Sequence, residues 1–165
     1  MNKILVSMGL ITVLLSGASC SAEGDKTAAA KGATAVVVEK SAWFTSYDQA
    51  KADSLKRNVP ILVDFSGSDW CGWCIKLDKE VFSKTEFKDF ADKNLVLLLV
   101  DFPRRKALPP AIAKQNEKLA EDFGVRGFPT VLILDGQGKE LARTGYRPGG
   151  AVEYVKHLQG LIGKK

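Results

Sequence analysis

Asp69-Trp70-Cys71-Gly72-Trp73-Cys74 decides how the rest of the chain is read. This Cys-x-x-Cys pair follows a β-branched, apolar run, Ile61-Leu62-Val63-Asp64-Phe65. It precedes a segment in which Leu77 and Val81 stand four apart among Lys76, Asp78, Lys79 and Glu80. That spacing predicts a helix with a narrow apolar stripe from Ile75 to Phe82, which puts Cys71 at a helix start. Unpaired backbone N–H groups and the positive end of the helix dipole favour a thiolate there, marking Cys71 as the attacking sulfur. Three residues of helix bring Cys74 onto the same face, within reach of a mixed disulfide formed on Cys71.

Four uses compete for such a pair: zinc ligation, haem attachment, a structural disulfide and redox chemistry. Haem attachment needs His directly after the second cysteine, where Ile75 stands. Zinc needs two further ligands, yet the only histidine is His157 and there is no second cysteine pair, so no metal is expected. A disulfide closing so small a loop constrains the unfolded chain little. The expected use is redox, with the Cys71/Cys74 pair itself as the reactive group and no added cofactor.

Val63-Asp64-Phe65, Trp70-Cys71-Gly72-Trp73-Cys74 and Gly124-Val125-Arg126-Gly127-Phe128-Pro129-Thr130 occur in this order. Together they resemble the strand, active-site and cis-proline motifs of the thioredoxin superfamily. In particular they resemble envelope thioredoxin-like proteins with a Ser-Asp-Trp-Cys-x-x-Cys motif, here Ser68 to Cys74. The resemblance covers residues 43 to 162 and implies an α/β thioredoxin fold, a central mixed β-sheet flanked by helices on both faces. It further implies a cis bond before Pro129 that lays the Phe128 backbone beside the dithiol, where it pairs with an extended substrate segment.

By the same resemblance, Asp64 is the buried acid that assists deprotonation of Cys74, its own pKa raised by desolvation. The connection from Asp64 to Cys71 is one residue longer than in thioredoxins proper, so a satisfied, edge-facing Asp64 stays open. Trp70 matches the family tryptophan, while Trp73 replaces a common proline. Trp70, Gly72 and Trp73 are expected on the substrate-facing surface, and Asp69 is expected to cap the helix.

The leading reading is an exported reductant of protein disulfides, recharged by a membrane redox partner. An oxidant or isomerase using the same residues is the alternative enzyme, because direction depends on how strongly each form is stabilised. A binding or assembly module with an idle dithiol is the alternative from another class.

At 165 residues the chain allows one domain. Residues 41–165 are assigned to it, after a leader and a tether. Met1-Asn2-Lys3 is a short positive region, and Ile4 to Leu15 is apolar but too short to span a bilayer comfortably. Residues 1–19 therefore read as a secretory signal, placing the mature protein in the periplasm or cell envelope. Residues 21–35 are small and polar, and 20–40 are assigned to a flexible tether. Cys20, the odd cysteine, is a candidate lipid anchor holding the domain to a membrane. Leu15 lies five residues before it rather than three, so cleavage by ordinary signal peptidase is equally open.

The net charge is +5, from 24 basic and 19 acidic residues with the signs interleaved. Without a basic stripe carrying stacking aromatics, no nucleic-acid partner is expected.

Periodicity predicts a helix over 46–57 with Tyr47, Ala50 and Leu55 inward, and another over 84–92 with Phe87, Phe90 and Ala91 inward. Leu95 to Val100 reads as a strand covered on both faces. A helix over 111–123 should stop at Gly124, strands over 130–134 and 140–144 should form a hairpin, and a closing helix is expected over 151–161. Trp43, Phe65, Phe82 and Phe102 read as packing residues, the proline-rich 102–110 connection as a surface insertion, and His157 as a surface histidine.

Overall fold

The computed structural model describes residues 43–163. The expected signal (1–19), the expected tether (20–40) and Cys20 lie outside the described residues. Helix α1 (Tyr47–Arg57) leads into β1 (Ile61–Ser66), α2 (Gly72–Leu77), a π-helical turn (Asp78–Phe82) and α3 (Thr85–Asn94). β2 (Val96–Asp101), α4 (Pro110–Asp122), the hairpin β3 (Thr130–Leu134) and β4 (Glu140–Thr144), and α5 (Gly150–Ile162) complete the order.

The sheet runs β2-β1-β3-β4. β1 lies parallel to β2, with Asp64 opposite Leu99, and antiparallel to β3, with Phe65 opposite Thr130. All six residues of β1 are buried, as the unbroken apolar run requires of a central strand. Alternation then sorts its side chains between two cores. Ile61, Val63 and Phe65 face a core shared with Ala50 of α1 and Leu119 of α4, whereas Leu62 faces Leu77, Phe87 and Tyr154 from the helices opposite. This is the thioredoxin fold, a mixed sheet with helices on both faces.

Local signals account for most element ends. Ser46 caps α1 through Gln49 N–H, and Asn58 at φ 53° ends it. Gly124 supplies the positive φ (59°) that follows α4. In the hairpin, Asp135 Oδ1 accepts from the N–H groups of Gln137 and Lys139, closing the turn.

Three local expectations need correction. Leu55 is not in the core: it is 55% exposed, and Ser54 is the buried neighbour on that helix face. The 75–82 helix is not regular, since α2 gives way to the π turn in which Asp78 C=O accepts from Ser83 N–H at 2.9 Å. The extra residue in that turn lets adjacent Val81 and Phe82 both enter the core, where Phe82 meets Trp43, Phe87 and Tyr154 at ring-centroid distances of 5.1, 4.8 and 6.1 Å. His157 is half-buried rather than a surface side chain; its Nε2 lies 3.0 Å from Thr144 Oγ1 and its ring packs edge-on to Tyr154.

Candidate active site

Because β1 and β2 are parallel and β3 runs back antiparallel, the segments after Ser66 and Asp101 and the segment before Thr130 converge at one end of the sheet. The segment after Thr144 joins them, since β4 pairs Thr144 with Val131. Chain just beyond β1 turns tightly: Gly67 C=O accepts from Trp70 N–H at 3.1 Å and from Cys71 N–H at 2.8 Å. That turn delivers Cys71 to the start of α2.

Cys71 and Cys74 are joined by a disulfide. Cys71 caps its own helix, its Sγ accepting from Cys74 N–H at 3.2 Å. A donor aimed at that sulfur favours negative charge on Cys71 rather than Cys74 when the bond is open. Both cysteines are buried, whereas Gly72 and Trp73 between them are exposed. Asp69 is therefore not the helix cap. Its carboxylate instead accepts from the backbone N–H groups of Arg104 and Arg105, at 2.9 and 2.7 Å, which holds its pKa below the ordinary carboxylate value.

On the other side of the pair, Asp64 projects from the middle strand into a pocket of about 250 Å³ lined also by Cys74, Asp78, Ser66 and Ser68. Asp64 is 6% exposed, and its Oδ1 has no hydrogen-bond partner among the described residues. Burial first, then the charges of Asp78 and Asp101, push its pKa from 3.8 up to about 8. The reading of Asp64 as a satisfied edge residue fails, because β1 is a central strand and the oxygen is orphaned. Asp101 is spoken for: its carboxylate accepts from Ser68 N–H and Oγ and from Lys106.

Trp70 is half-buried, wedged over Gly67, where an added Cβ would come within 2.5 Å of the indole. Its Nε1–H donates to Phe102 C=O at 2.7 Å, and its ring meets Phe128 edge-on at 6.0 Å. Phe128 stacks on Phe102 at 5.1 Å, and the Phe128–Pro129 bond is cis. The 102–110 connection is thus not a detached surface insertion, since three of its residues are tied to Asp69 and Trp70.

Residues that sequence reasoning did not place at the site are Arg104, Tyr146 and Asp78. The Arg104 guanidinium lies 3.7 Å over the Trp70 ring, and Tyr146 packs 5.1 Å from Trp73. No periodicity signals such contacts.

The Cys71–Cys74 pair at the start of α2 and Phe128 packed on the adjoining Trp70 complete the geometry, and the chain matches a family model described as a thioredoxin-like domain over residues 47–158. The chain belongs to the thioredoxin-like family. Disulfide bond reductase DsbH of Chlamydia pneumoniae is 38% identical over 119 residues, covering 72% of this chain and 72% of that protein. Thioredoxin-related protein DsbJ of the same organism is 32% identical over 103 residues, 62% of this chain but 30% of its own length. A solved structure titled DsbH oxidoreductase superposes with a TM-score of 0.71 at 37% identity, covering 75% of this chain and 85% of that one. This member of the thioredoxin-like family is a thiol–disulfide oxidoreductase.

Proposed function

We propose that the chain is an exported reductant of protein disulfides. The observation that carries this reading is the asymmetry of the pair: Cys71 Sγ receives an N–H, while Cys74 shares a pocket with a buried carboxyl that has no partner of its own on Oδ1. The 38% identity to a protein named a disulfide bond reductase supports the direction.

In this reading the Cys71 thiolate attacks a substrate disulfide, forming a mixed disulfide and releasing one substrate thiolate. Asp64, in its ionised form, accepts the Cys74 proton. The Cys74 thiolate then attacks the Cys71 sulfur, expelling the second substrate thiolate and leaving the Cys71–Cys74 disulfide. Two electrons pass to the substrate, whose two sulfurs take up protons. Trp70, Gly72, Trp73, Phe128 and Pro129 form the groove, with the Phe128 backbone pairing with an extended substrate segment.

A further round needs a dithiol donor, and for an exported protein that donor is a membrane redox partner. Residues 1–19 act as the export signal and 20–40 as the tether, with Cys20 as the lipid-anchored residue. Among the described residues no helix is long and apolar enough to cross a membrane.

Equilibration of the mature protein against a dithiothreitol or glutathione series tests the direction. A potential near about −270 mV supports the reductant, whereas a value between roughly −180 and −120 mV replaces it with an isomerase or oxidant. A pair that does not cycle at all would leave only a binding module.

A further inference from the structure

Resting on the reductant reading above, we infer that the rim of the dithiol selects substrate segments with carboxylate side chains beside the target cysteine. The four segments that meet at this end of the sheet each carry an exposed cation next to a residue that touches the site. Arg104 lies on Trp70, and Arg105 follows it in the same connection. Arg126 stands two residues before Phe128, Arg147 follows Tyr146, and Lys76 of α2 sits 5.1 Å over both the Trp73 and Tyr146 rings.

The nearby acids offset part of this charge, Asp69 acting on Arg105 and Glu80 on Lys76, and leave the cations in excess. Asp69 spends both oxygens on the Arg104 and Arg105 amides, which fixes the connection against Trp70 and leaves both side chains exposed to solvent. Glu80 accepts from the Tyr146 hydroxyl at 2.8 Å and is 3.9 Å from Lys76. Among the described residues no carboxylate lies within ion-pair distance of the Arg104 or Arg105 guanidinium. A guanidinium stacked on an indole keeps its N–H edge free, and that edge matches a carboxylate with two parallel hydrogen bonds.

An extended segment laid along Phe128 therefore meets cationic margins, Arg104 and Arg105 on the Trp70 side and Lys76 over Trp73 and Tyr146, with Arg147 next to Tyr146 in the chain. Acidic residues flanking the cysteine meet complementary charge there, and basic ones are repelled as they approach.

The test uses the reduced full chain and two peptides of equal length. Each carries one cysteine in a disulfide with a chromogenic small thiol, flanked on both sides by Asp in one and by Lys in the other. At low ionic strength the kcat/KM ratio of acidic to basic peptide is expected to be about five to tenfold, falling as salt is added. In Arg104→Glu/Arg105→Glu the ratio should drop to one or invert; because both peptides are read on the same variant, a general loss of activity cancels. A wild-type ratio near one overturns the inference while leaving the reductant standing. A ratio unmoved by the double variant overturns it too, and if that variant then loses binding to vesicles of anionic lipid, the rim belongs to a membrane surface. Failure to reduce either peptide sinks the reductant reading as well.

Discussion

Asp64 and Cys74 line one pocket, and no hydrogen-bond donor among the described residues reaches Asp64 Oδ1. The native carboxyl, held at about 8 rather than 3.8, keeps a proton that the unfolded chain has already released. Stability is therefore greatest below the unfolded value and falls as pH rises from about 4 towards 8. Asp64→Asn removes this titration. Urea denaturation should find the variant more stable than the parent by roughly 3 kcal/mol at about pH 9, with the gap closing near pH 4.

The same substitution removes the proposed proton acceptor. Formation of a mixed disulfide on Cys71 should persist, while its resolution by Cys74 slows about 10²-fold. Stopped-flow mixing of reduced protein with a disulfide peptide separates the two steps, and an unchanged second step would exclude Asp64 from the chemistry.

Asp78 is the largest nearby charge that raises the Asp64 carboxyl, after burial itself. Cys74, Asp101 and Tyr154 are the other titratable groups around it. Neutralising Asp78 by Asp78→Asn should lower the Asp64 pKa, and the pH profile of mixed-disulfide resolution should move to more acid values. A profile that stays in place would disconnect the two carboxyls.

Cys74→Ser should accumulate covalent complexes with substrate proteins through Cys71, visible on non-reducing gels and dissolved by dithiothreitol. Cys71→Ser should yield neither complexes nor turnover. Turnover by Cys71→Ser would refute the assignment of the nucleophile.

Gly67→Ala places a methyl group 2.5 Å from the Trp70 ring. Displacing the indole breaks its hydrogen bond to Phe102, and the fold should lose about 1–3 kcal/mol. Chemical denaturation followed by tryptophan fluorescence reads both the stability and the changed environment of the ring.

Asp69 holds the Arg104 and Arg105 amides from a sequence distance of 35 and 36 residues. Because its pKa lies below the ordinary value, the interaction is complete above the unfolded carboxylate pKa and disappears as pH falls through the lowered one. Hydrogen exchange should show these two amides protected at neutral pH and unprotected in Asp69→Ala.

Expectations built on near neighbours matched the structure best. Continuous apolar runs located β1 and β2, and the hairpin over 130–144 was legible as well, since these patterns depend on residues a few positions apart. Leu55 failed because a helical period cannot tell which side of a helix margin the sheet will cover; Ser54, polar but small, took the buried place. Asp69 failed for a different reason. A carboxylate before a helix satisfies a cap or a neighbouring loop equally well by sequence, and the loop arrived only with the parallel pairing of β1 and β2.

Residues 43–163 by themselves determined the dithiol, its position at a helix start and the thioredoxin order of elements, because spacing of three and alternation of two are properties of local backbone geometry. Tertiary structure alone decided that Asp64 has an orphaned oxygen behind Cys74 and that Arg104 lies on Trp70. Both depend on strand register: pairing β1 with β2 and β3 brings the ends of distant segments to one edge of the sheet, and no local period encodes which side chains meet there.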